Sequence, residues 1–270
     1  MVISQDEEML AVISGKNLVM NEQYPNQLFI FKRNHRDEDE TDTFSLKHRI
    51  IVKEKPEFAK ISMRFSFKLP KIGQLPNAVI FAKQDSMMEV RFDNQTENVD
   101  QNPPLDIKII STYPSPLNKQ AEFFLMNDDQ SICVVGSETD GLYYNRRTNQ
   151  YVDLDEEYQI SNIKEIYHDH EERVFYMLAN KYQEKLGIFL IVFNEKDPSR
   201  HQFILRWKNK LDISDANVFI VRNKKKKFKE LVVSFKTIFI NVYNVCVMDI
   251  SNHRNIRTIF RHESFQLWES

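Results

Sequence analysis

The sequence predicts an all-β fold of about five four-stranded antiparallel units, each of them a meander of short strands. Three observations support this prediction: short apolar segments with alternating polar residues, polar turns between those segments, and an almost complete lack of helical periodicity. A single meander cannot bury both of its faces, so we expect the units to stack on one another.

The clearest unit covers residues 230–260, ELVVSFKTIFINVYNVCVMDISNHRNIRTIF. Its first part, 232–240, is rich in β-branched and aromatic residues, which favour a pleated and half-buried strand. Residues 245–248 (VCVM) alternate between two faces with the period of a strand. The asparagine-containing segment 252–255 predicts a turn, and a further strand begins at Ile256.

Four other units are predicted upstream, each with four strands. The first unit has strands at 1–4, 9–14, 27–33 and 44–52. The second has strands at 60–68, 77–83, 87–93 and 105–111, with prolines only between them. The third has strands at 121–127, 131–137, 141–145 and 150–154. The fourth has strands at 162–168, 173–179, 187–194 and 201–207, and the fifth opens with 217–223. The segment DEEYQISNIKEI (155–166) is the nearest candidate for a turn of helix.

Two landmarks recur in these units. The third strand runs into an asparagine each time, at positions 34, 94, 145, 194 and 252. A polar turn joins the first two strands in all units except the second, for example NDDQ (127–130) and HDHEE (168–172). Four strands repeated at roughly 40–50 residues are typical of a β-propeller.

We therefore predict a single β-propeller domain over residues 1–270. Its blades are expected at about 1–53, 60–111, 121–155, 162–208 and 217–262, with 263–270 as a strand that could close the ring. Two alternatives remain open: the chain belongs to a larger propeller or pairs with a second chain, or it folds as two tandem β-barrels divided near 112–120.

The segment VCVMDISNHRNIRTIF (245–260) resembles propeller repeats whose third strand ends in an Asp-Ile-Ser-Asn run before the outer strand. The layout is similar to WD40-like blades, although the Trp-Asp and Gly-His pairs of WD40 repeats are absent and only the fifth unit carries the run. The resemblance implies a degenerate propeller that serves as a platform for partners, and it implies no particular chemistry.

Composition argues against several classes of function. The chain has only five glycines and contains no GxGxxG, P-loop, GxSxG, HExxH or CxxC motif, so we predict neither enzymatic activity nor a cofactor. Its formal net charge of −2 gives no overall attraction for nucleic acid. Cys133 and Cys246 lie in apolar segments, which favours buried free thiols in a reducing compartment. No apolar segment reaches the ~18 residues of a membrane span, and the N-terminus lacks a basic region. We expect an intracellular, cytoplasmic protein without membrane insertion.

Two segments contain clusters of metal-ligating residue types. His168, Asp169 and His170 place two imidazoles close together, but a zinc site needs three or four ligands. The acidic segment 37–42 lacks the glycine and the spacing of an EF-hand loop. We interpret both segments as solvated turns and predict no metal site.

The leading functional hypothesis is a non-enzymatic scaffold for other protein subunits. Tyrosine, tryptophan and arginine are the residue types that most often anchor protein interfaces. The candidate partner-binding residues are Tyr143, Tyr144, Arg146, Arg147, Trp207 and Trp268. The loop 140–150 (DGLYYNRRTNQ) is the favoured site, although its two tyrosines also suit ordinary packing within a strand.

Two alternatives use other parts of the chain. The lysine run KKKKFK would let a propeller or barrel module bind nucleic acid through phosphate contacts, using Lys224, Lys225, Lys226, Lys227 and Lys229. A solvated hairpin tip explains the same run without a ligand. The other alternative is an enzyme or small-ligand site in the propeller channel.

Overall fold

The computed structural model describes residues 1–4, 7–14, 27–34, 43–51, 65–71, 74–92, 106–119, 121–137, 139–181, 187–208, 213–223, 228–237, 242–251 and 256–263. The chain divides into two compact units: unit 1 comprises residues 1–137 and 144–151, and unit 2 comprises residues 138–143 and 152–270. Among the described segments, no helix has the length and hydrophobicity that a bilayer crossing requires.

The described strands form five four-stranded antiparallel sheets, each with its strands in chain order. Sheet 1 consists of β1 (Val2–Ile3), β2 (Met9–Ile13), β3 (Gln27–Asn34) and β4 (Thr43–Ile51). Sheet 2 consists of β5 (Phe65–Phe67), β6 (Ala78–Ala82), β7 (Ser86–Arg91) and β8 (Asp106–Thr112). Sheet 3 consists of β9 (Phe123–Met126), β10 (Ile132–Gly136), β11 (Gly141–Asn145) and β12 (Gln150–Asp153).

The two remaining sheets belong to unit 2. Sheet 4 consists of β13 (Ser161–Asp169), β14 (Val174–Lys181), β15 (Gly187–Asn194) and β16 (His201–Lys208). Sheet 5 consists of β17 (Ile213–Asn223), β18 (Phe228–Thr237), β19 (Val242–Asp249) and β20 (Arg257–Glu263). Five such sheets confirm the predicted fold class, a β-propeller of five blades. The alternative of two β-barrels is wrong, because each set of four strands pairs only within itself.

In unit 1, sheets 1 and 2 contribute to one apolar core. Strand β2 buries every second residue, and its Ala11 lies opposite Ile30 of β3. Sheet 2 contributes Phe65 and Phe81 to the same cluster, with ring centroids 5.1 Å apart. Burial of each large apolar side chain stabilises the fold by about 1.5–3 kcal/mol.

In unit 2, sheets 4 and 5 share one core. Leu231, Val233 and Phe235 on β18 all face inwards, as the period of a strand requires. Trp207 of β16 meets the ring of Phe235 edge-on, with centroids 5.0 Å apart. In β18 the alternating sequence pattern is therefore also the pattern of burial, whereas β15 is buried on both faces over most of its length.

Both cysteines are free and buried, as predicted. Burial raises the pKa of the Cys133 thiol to about 12. Burial also raises the pKa of Cys246 above its ordinary value. A thiol that stays protonated at neutral pH is a poor nucleophile, so both residues act as small core residues.

One short helix, α1 (Leu154–Tyr158), follows β12. It occupies the first part of the predicted candidate segment, and Leu154 belongs to it instead of to the preceding strand. Asp153 caps its N-terminus by accepting hydrogen bonds from the main-chain N–H groups of Asp155 and Glu156, at 3.0 and 3.2 Å. The helix ends at Gln159, which has left-handed dihedral angles (φ 52°).

The recurring asparagines end strands where the structure describes them. Asn34, Asn145 and Asn194 are the last residues of β3, β11 and β15. Asn94, Asn252 and the C-terminal residues 264–270 lie outside the described residues, so the predicted closing strand stays a prediction.

Candidate functional site

Arg146 and Arg147, the arginines predicted to bind a partner, lie in the turn between β11 and β12. The turn is built by Asn145, whose side-chain oxygen accepts hydrogen bonds from the N–H groups of Arg147 and Thr148 at 3.0 and 3.2 Å. Asn149 closes it in a left-handed conformation (φ 56°), which asparagine tolerates better than most residues. Both arginines are thus presented by an ordered hairpin turn.

The two guanidinium groups then make different contacts. Arg146 is half-buried and donates from Nη1 to the main-chain oxygen of Gln130, at 2.9 Å. The side chain of Arg147 is 69% exposed and pairs with Asp129, which is itself half-exposed, over 2.9 Å. An exposed pair of this kind contributes about 0–1 kcal/mol. Arg146 is therefore the more strongly positioned of the two.

Arg146 lines a groove in unit 1 with a volume of about 300 Å³, which we call the cationic groove. The residues that line it come from β6, β7, β8 and the segments next to β5, β10 and β11: Lys68, Ile80, Glu89, Arg91, Lys108, Ile109, Ile110, Gln130 and Arg146. Four of these described residues are cationic and one is anionic. The groove is consequently strongly electropositive in a protein whose formal net charge is −2.

Glu89 on β7 organises two of the cations. Its side chain is 2% exposed, and its two carboxylate oxygens accept Lys68 Nζ at 2.7 Å and Arg91 Nε at 2.5 Å. Burial raises the pKa of the Glu89 carboxyl, but the hydrogen bonds and charges of Lys68 and Arg91 outweigh that effect and hold the pKa below its ordinary value. Glu89 therefore remains ionised at neutral pH and fixes both cations at the groove.

Gln130 holds the groove together from the side of sheet 3. Its side-chain amide accepts a hydrogen bond from Leu69 N at 3.0 Å and donates one to the Phe67 carbonyl. Gln130 itself has a left-handed conformation (φ 55°) at the end of the NDDQ turn. The same residue thus ties this turn to the end of β5 and accepts the hydrogen bond of Arg146.

Three of the predicted partner-binding residues lie in the interior, which corrects the sequence-based assignment. Tyr143 is buried and donates its hydroxyl hydrogen to the Glu195 carbonyl oxygen at 2.7 Å. Tyr144 is buried, donates to the Asn149 side chain at 2.8 Å and supports the turn. Trp207 is 1% exposed and belongs to the core of unit 2. A side chain already covered by the fold cannot anchor a partner.

Trp268 and Lys224, Lys225, Lys226 and Lys227 lie outside the described residues. Lys229 is described, and it is buried at the start of β18, where its ammonium group pairs with Asp169. That lysine is thereby committed to an internal ion pair and is not available to phosphate groups. The nucleic-acid hypothesis for the lysine run stays a prediction that rests on the four preceding lysines.

The His168-Asp169-His170 segment is not a solvated turn throughout, because His168 and Asp169 belong to β13. His168 Nε2 lies 2.8 Å from a carboxylate oxygen of Glu195, and both side chains are largely buried. Among the described residues, no group of three or more His, Cys, Asp or Glu side chains could hold a metal ion.

Unit 2 has a cavity of about 330 Å³ at the ends of β14, β15 and β16. Its lining includes Phe193, His201 and Arg200. Arg200 is highly exposed and pairs with Asp197 at 3.0 Å, so this cavity lacks the converging charges of the cationic groove.

The sequence matches no protein family model and no curated protein. In structure, the chain is similar to the core factor of S. cerevisiae, with a TM-score of 0.55 and 10% identity over 96% of this chain and 41% of that one. Sqt1 from Chaetomium thermophilum gives a TM-score of 0.47 and 10% identity over 86% of this chain and 53% of that one. A proposed 6-phosphogluconolactonase from Bacteroides fragilis NCTC 9343 gives a TM-score of 0.46 and 9% identity over 98% of this chain and 70% of that one.

At such identities, likeness to the core factor concerns the fold alone. The chain also spans less than half the length of the core factor chain it matches. The five four-stranded antiparallel blades give this chain a β-propeller fold.

Proposed function

We propose that this protein is a non-enzymatic protein-interaction scaffold, a subunit of a larger intracellular assembly, and that Arg146 lies at the centre of its partner-binding site. Propellers serve many unrelated functions, so the proposal depends on the site and not on the fold. Both cysteines are free and buried, which fits the reducing conditions of the cytoplasm.

The observation that carries the proposal is the convergence of Lys68, Arg91, Lys108 and Arg146 on one groove. Arginine is enriched at interface hot spots because it combines charge, planar hydrogen bonding and a long apolar stem. Here Arg146 is held in place by Gln130 before any partner arrives, which lowers the entropy lost on binding.

The test compares the tagged full chain with two single variants after crosslinking in its own cells. We expect the original protein to retain a stoichiometric protein partner, identified by mass spectrometry, and Arg146→Glu to lose it. Arg147→Glu is the matched control, because it makes the same change of charge one residue away, outside the lining of the groove. Cooperative thermal unfolding of both variants would show that they fold.

Two results would overturn the proposal. One is that no protein is retained at stoichiometric amounts. The other is that Arg146→Glu retains the partner as well as Arg147→Glu does.

A further inference from the structure

The positive charge of the cationic groove is only partly compensated from within. Glu89 accepts hydrogen bonds from Lys68 and Arg91, and Arg91 also lies 3.5 Å from the exposed Asp106. The other two cations, Lys108 and Arg146, form no ion pair with any described residue. The groove therefore offers two cations that a ligand can neutralise.

These two cations differ in a way that suits carboxylate recognition. Arg146 has a fixed position, since one of its N–H groups is bound to Gln130, and its remaining N–H groups can form paired hydrogen bonds with a carboxylate. Lys108 is exposed on β8, directly opposite Glu89 on β7. Its flexible side chain can follow a second negative charge.

The residue that follows Lys108 in β8 is apolar and also lines the groove. Strands β7 and β8 shift register between Met87 and Met88, so that Ile110 has no direct partner on β7. The next residue towards Lys108, Ile109, lines the groove and is 59% exposed. A large aliphatic side chain exposed at the edge of a binding groove is a contact point for an apolar group of a ligand.

The described lining favours a polypeptide over a nucleic acid. Proteins that bind single strands stack the bases on aromatic side chains, and none of the described lining residues is aromatic. A volume of about 300 Å³ accommodates a few side chains of an extended segment. The lining combines isoleucines with lysines and arginines. It is therefore complementary to a segment in which apolar and acidic side chains are neighbours.

We propose that the cationic groove binds an acidic segment of a partner protein, with carboxylates on Lys108 and Arg146 and an apolar side chain on Ile109. This inference rests on the proposed scaffold function and adds the chemistry of the partner. The apolar side chain of the segment would displace water from Ile109. Its carboxylates would supply the negative charge that Glu89 does not provide to Lys108 and Arg146.

The experiment measures fluorescence anisotropy of a short fluorescein-labelled peptide in which glutamates flank a leucine, titrated with the full chain at about 0.1 M salt. We expect saturable binding, weakened at least about tenfold by Lys108→Glu because repulsion replaces attraction. Lys196→Glu is the matched control, since Lys196 is exposed and does not line the groove. The affinity of this variant for the peptide should stay within about twofold of that of the original protein.

Two further comparisons separate the possible ligands. Ile109→Ser should lower the affinity for the leucine-containing peptide and leave the affinity for a leucine-free peptide unchanged. Three results would overturn the inference. The first is that a peptide with glutamine in place of glutamate binds as tightly as the glutamate peptide. The others are that a single-stranded oligonucleotide of equal charge binds more tightly than the glutamate peptide, or that inorganic phosphate displaces this peptide.

The two proposals can fail separately. If the glutamate peptide does not bind but the crosslinked partner still depends on Arg146, the acidic-segment inference is wrong and the scaffold stands. If the peptide binds as expected but no partner is retained in cells, the scaffold proposal is the one that fails.

Discussion

The guanidinium of Arg146 donates a hydrogen bond to the main-chain oxygen of Gln130 at 2.9 Å, so a residue of the β9–β10 turn positions an arginine of the β11–β12 turn. The side chain of Gln130 meanwhile binds Leu69 N and the Phe67 carbonyl. One side-chain amide therefore joins the β9–β10 turn to the end of β5, and the cationic groove lies beside it.

Replacement of that amide should loosen the groove. We expect Gln130→Ala to lower the free energy of unfolding by about 1–3 kcal/mol, because Leu69 N loses its hydrogen-bond partner and the Phe67 oxygen is left with the Ser66 hydroxyl. Urea titration measures this, and Gln150→Ala, at an exposed position, should change it by about 0.5 kcal/mol or less. Equal urea midpoints for the two variants would show that the amide does not hold the sheets together.

Asp155 in α1 should make stability depend on pH. Burial, with the neighbouring Asp153 and Asp140 carboxylates, raises the pKa of Asp155 to about 7 from an ordinary value of 3.8. Between these values the folded state binds more protons than the unfolded state, so stability falls as pH rises from about 4 to 7. We expect Asp155→Asn to flatten that slope and to raise Tm at pH 8.

The control for this effect is Glu157→Gln, which removes an exposed acid from the same helix. It should leave the slope of Tm against pH as it is in the original protein. If Asp155→Asn keeps the full slope as well, then another group causes the pH dependence.

Asp169 in β13 depends on a counter-charge from sheet 5. Its side chain is fully buried, pairs with Lys229 and lies 3.0 Å from Arg222. Burial raises the pKa of Asp169, but Lys229 and Arg222 outweigh this and hold it below the ordinary value. The resulting stabilisation is present above about pH 4 and is lost as the pH falls through the lowered pKa.

Removal of the lysine should therefore be costly. We expect Lys229→Met to destabilise the protein by about 3–5 kcal/mol at pH 7, because a buried charge loses a partner. Calorimetry of Lys229→Met, of the exposed control Lys196→Met and of the double variant Asp169→Asn/Lys229→Met measures the effect. The double variant should recover part of the loss; a loss as large as in the single variant would contradict this explanation.

Gly187 opens β15 where no side chain fits. A Cβ atom at this position would lie 2.5 Å from the Trp207 carbonyl oxygen, which belongs to the paired strand β16. We expect Gly187→Ala to lower the free energy of unfolding by more than about 2 kcal/mol, since the main chain must move. Ile188→Val next to it removes one buried methyl group and should cost about 1 kcal/mol. A smaller loss for Gly187→Ala than for Ile188→Val would show that the strands can separate without penalty.

The order and type of the strands could be predicted because short apolar segments, separated by polar turns, recur along the chain. The positions of Tyr143, Tyr144 and Trp207 could not, since an aromatic residue near a strand end is equally compatible with surface and core. Contacts with residues distant in the sequence place these side chains in the core; the hydroxyl of Tyr143, for example, donates to the Glu195 carbonyl oxygen. Sequence spacing contains no information about such partners.

Of the residues that line the cationic groove, only Arg146 was predicted from the sequence to bind a partner. Lys68, Arg91 and Lys108 are far apart in the chain, and pairing of β7 with β8 brings the last two onto one sheet. One signal was available in the sequence: Glu89 and Arg91 are charged, two residues apart and inside an apolar strand, so they share a face. Charged residues inside an apolar strand need partners, but sequence spacing does not show which residues those partners are.

The ion pair of Asp169 with Lys229 also restricts how this protein can be divided. A chain that stops after β16 would keep a carboxylate in its interior while losing both cations that accompany it. Repeat proteins can often be shortened one repeat at a time, because each repeat is stabilised by its neighbours alone. Here the last two blades form an indivisible pair, so any fragment made for expression has to include both or neither.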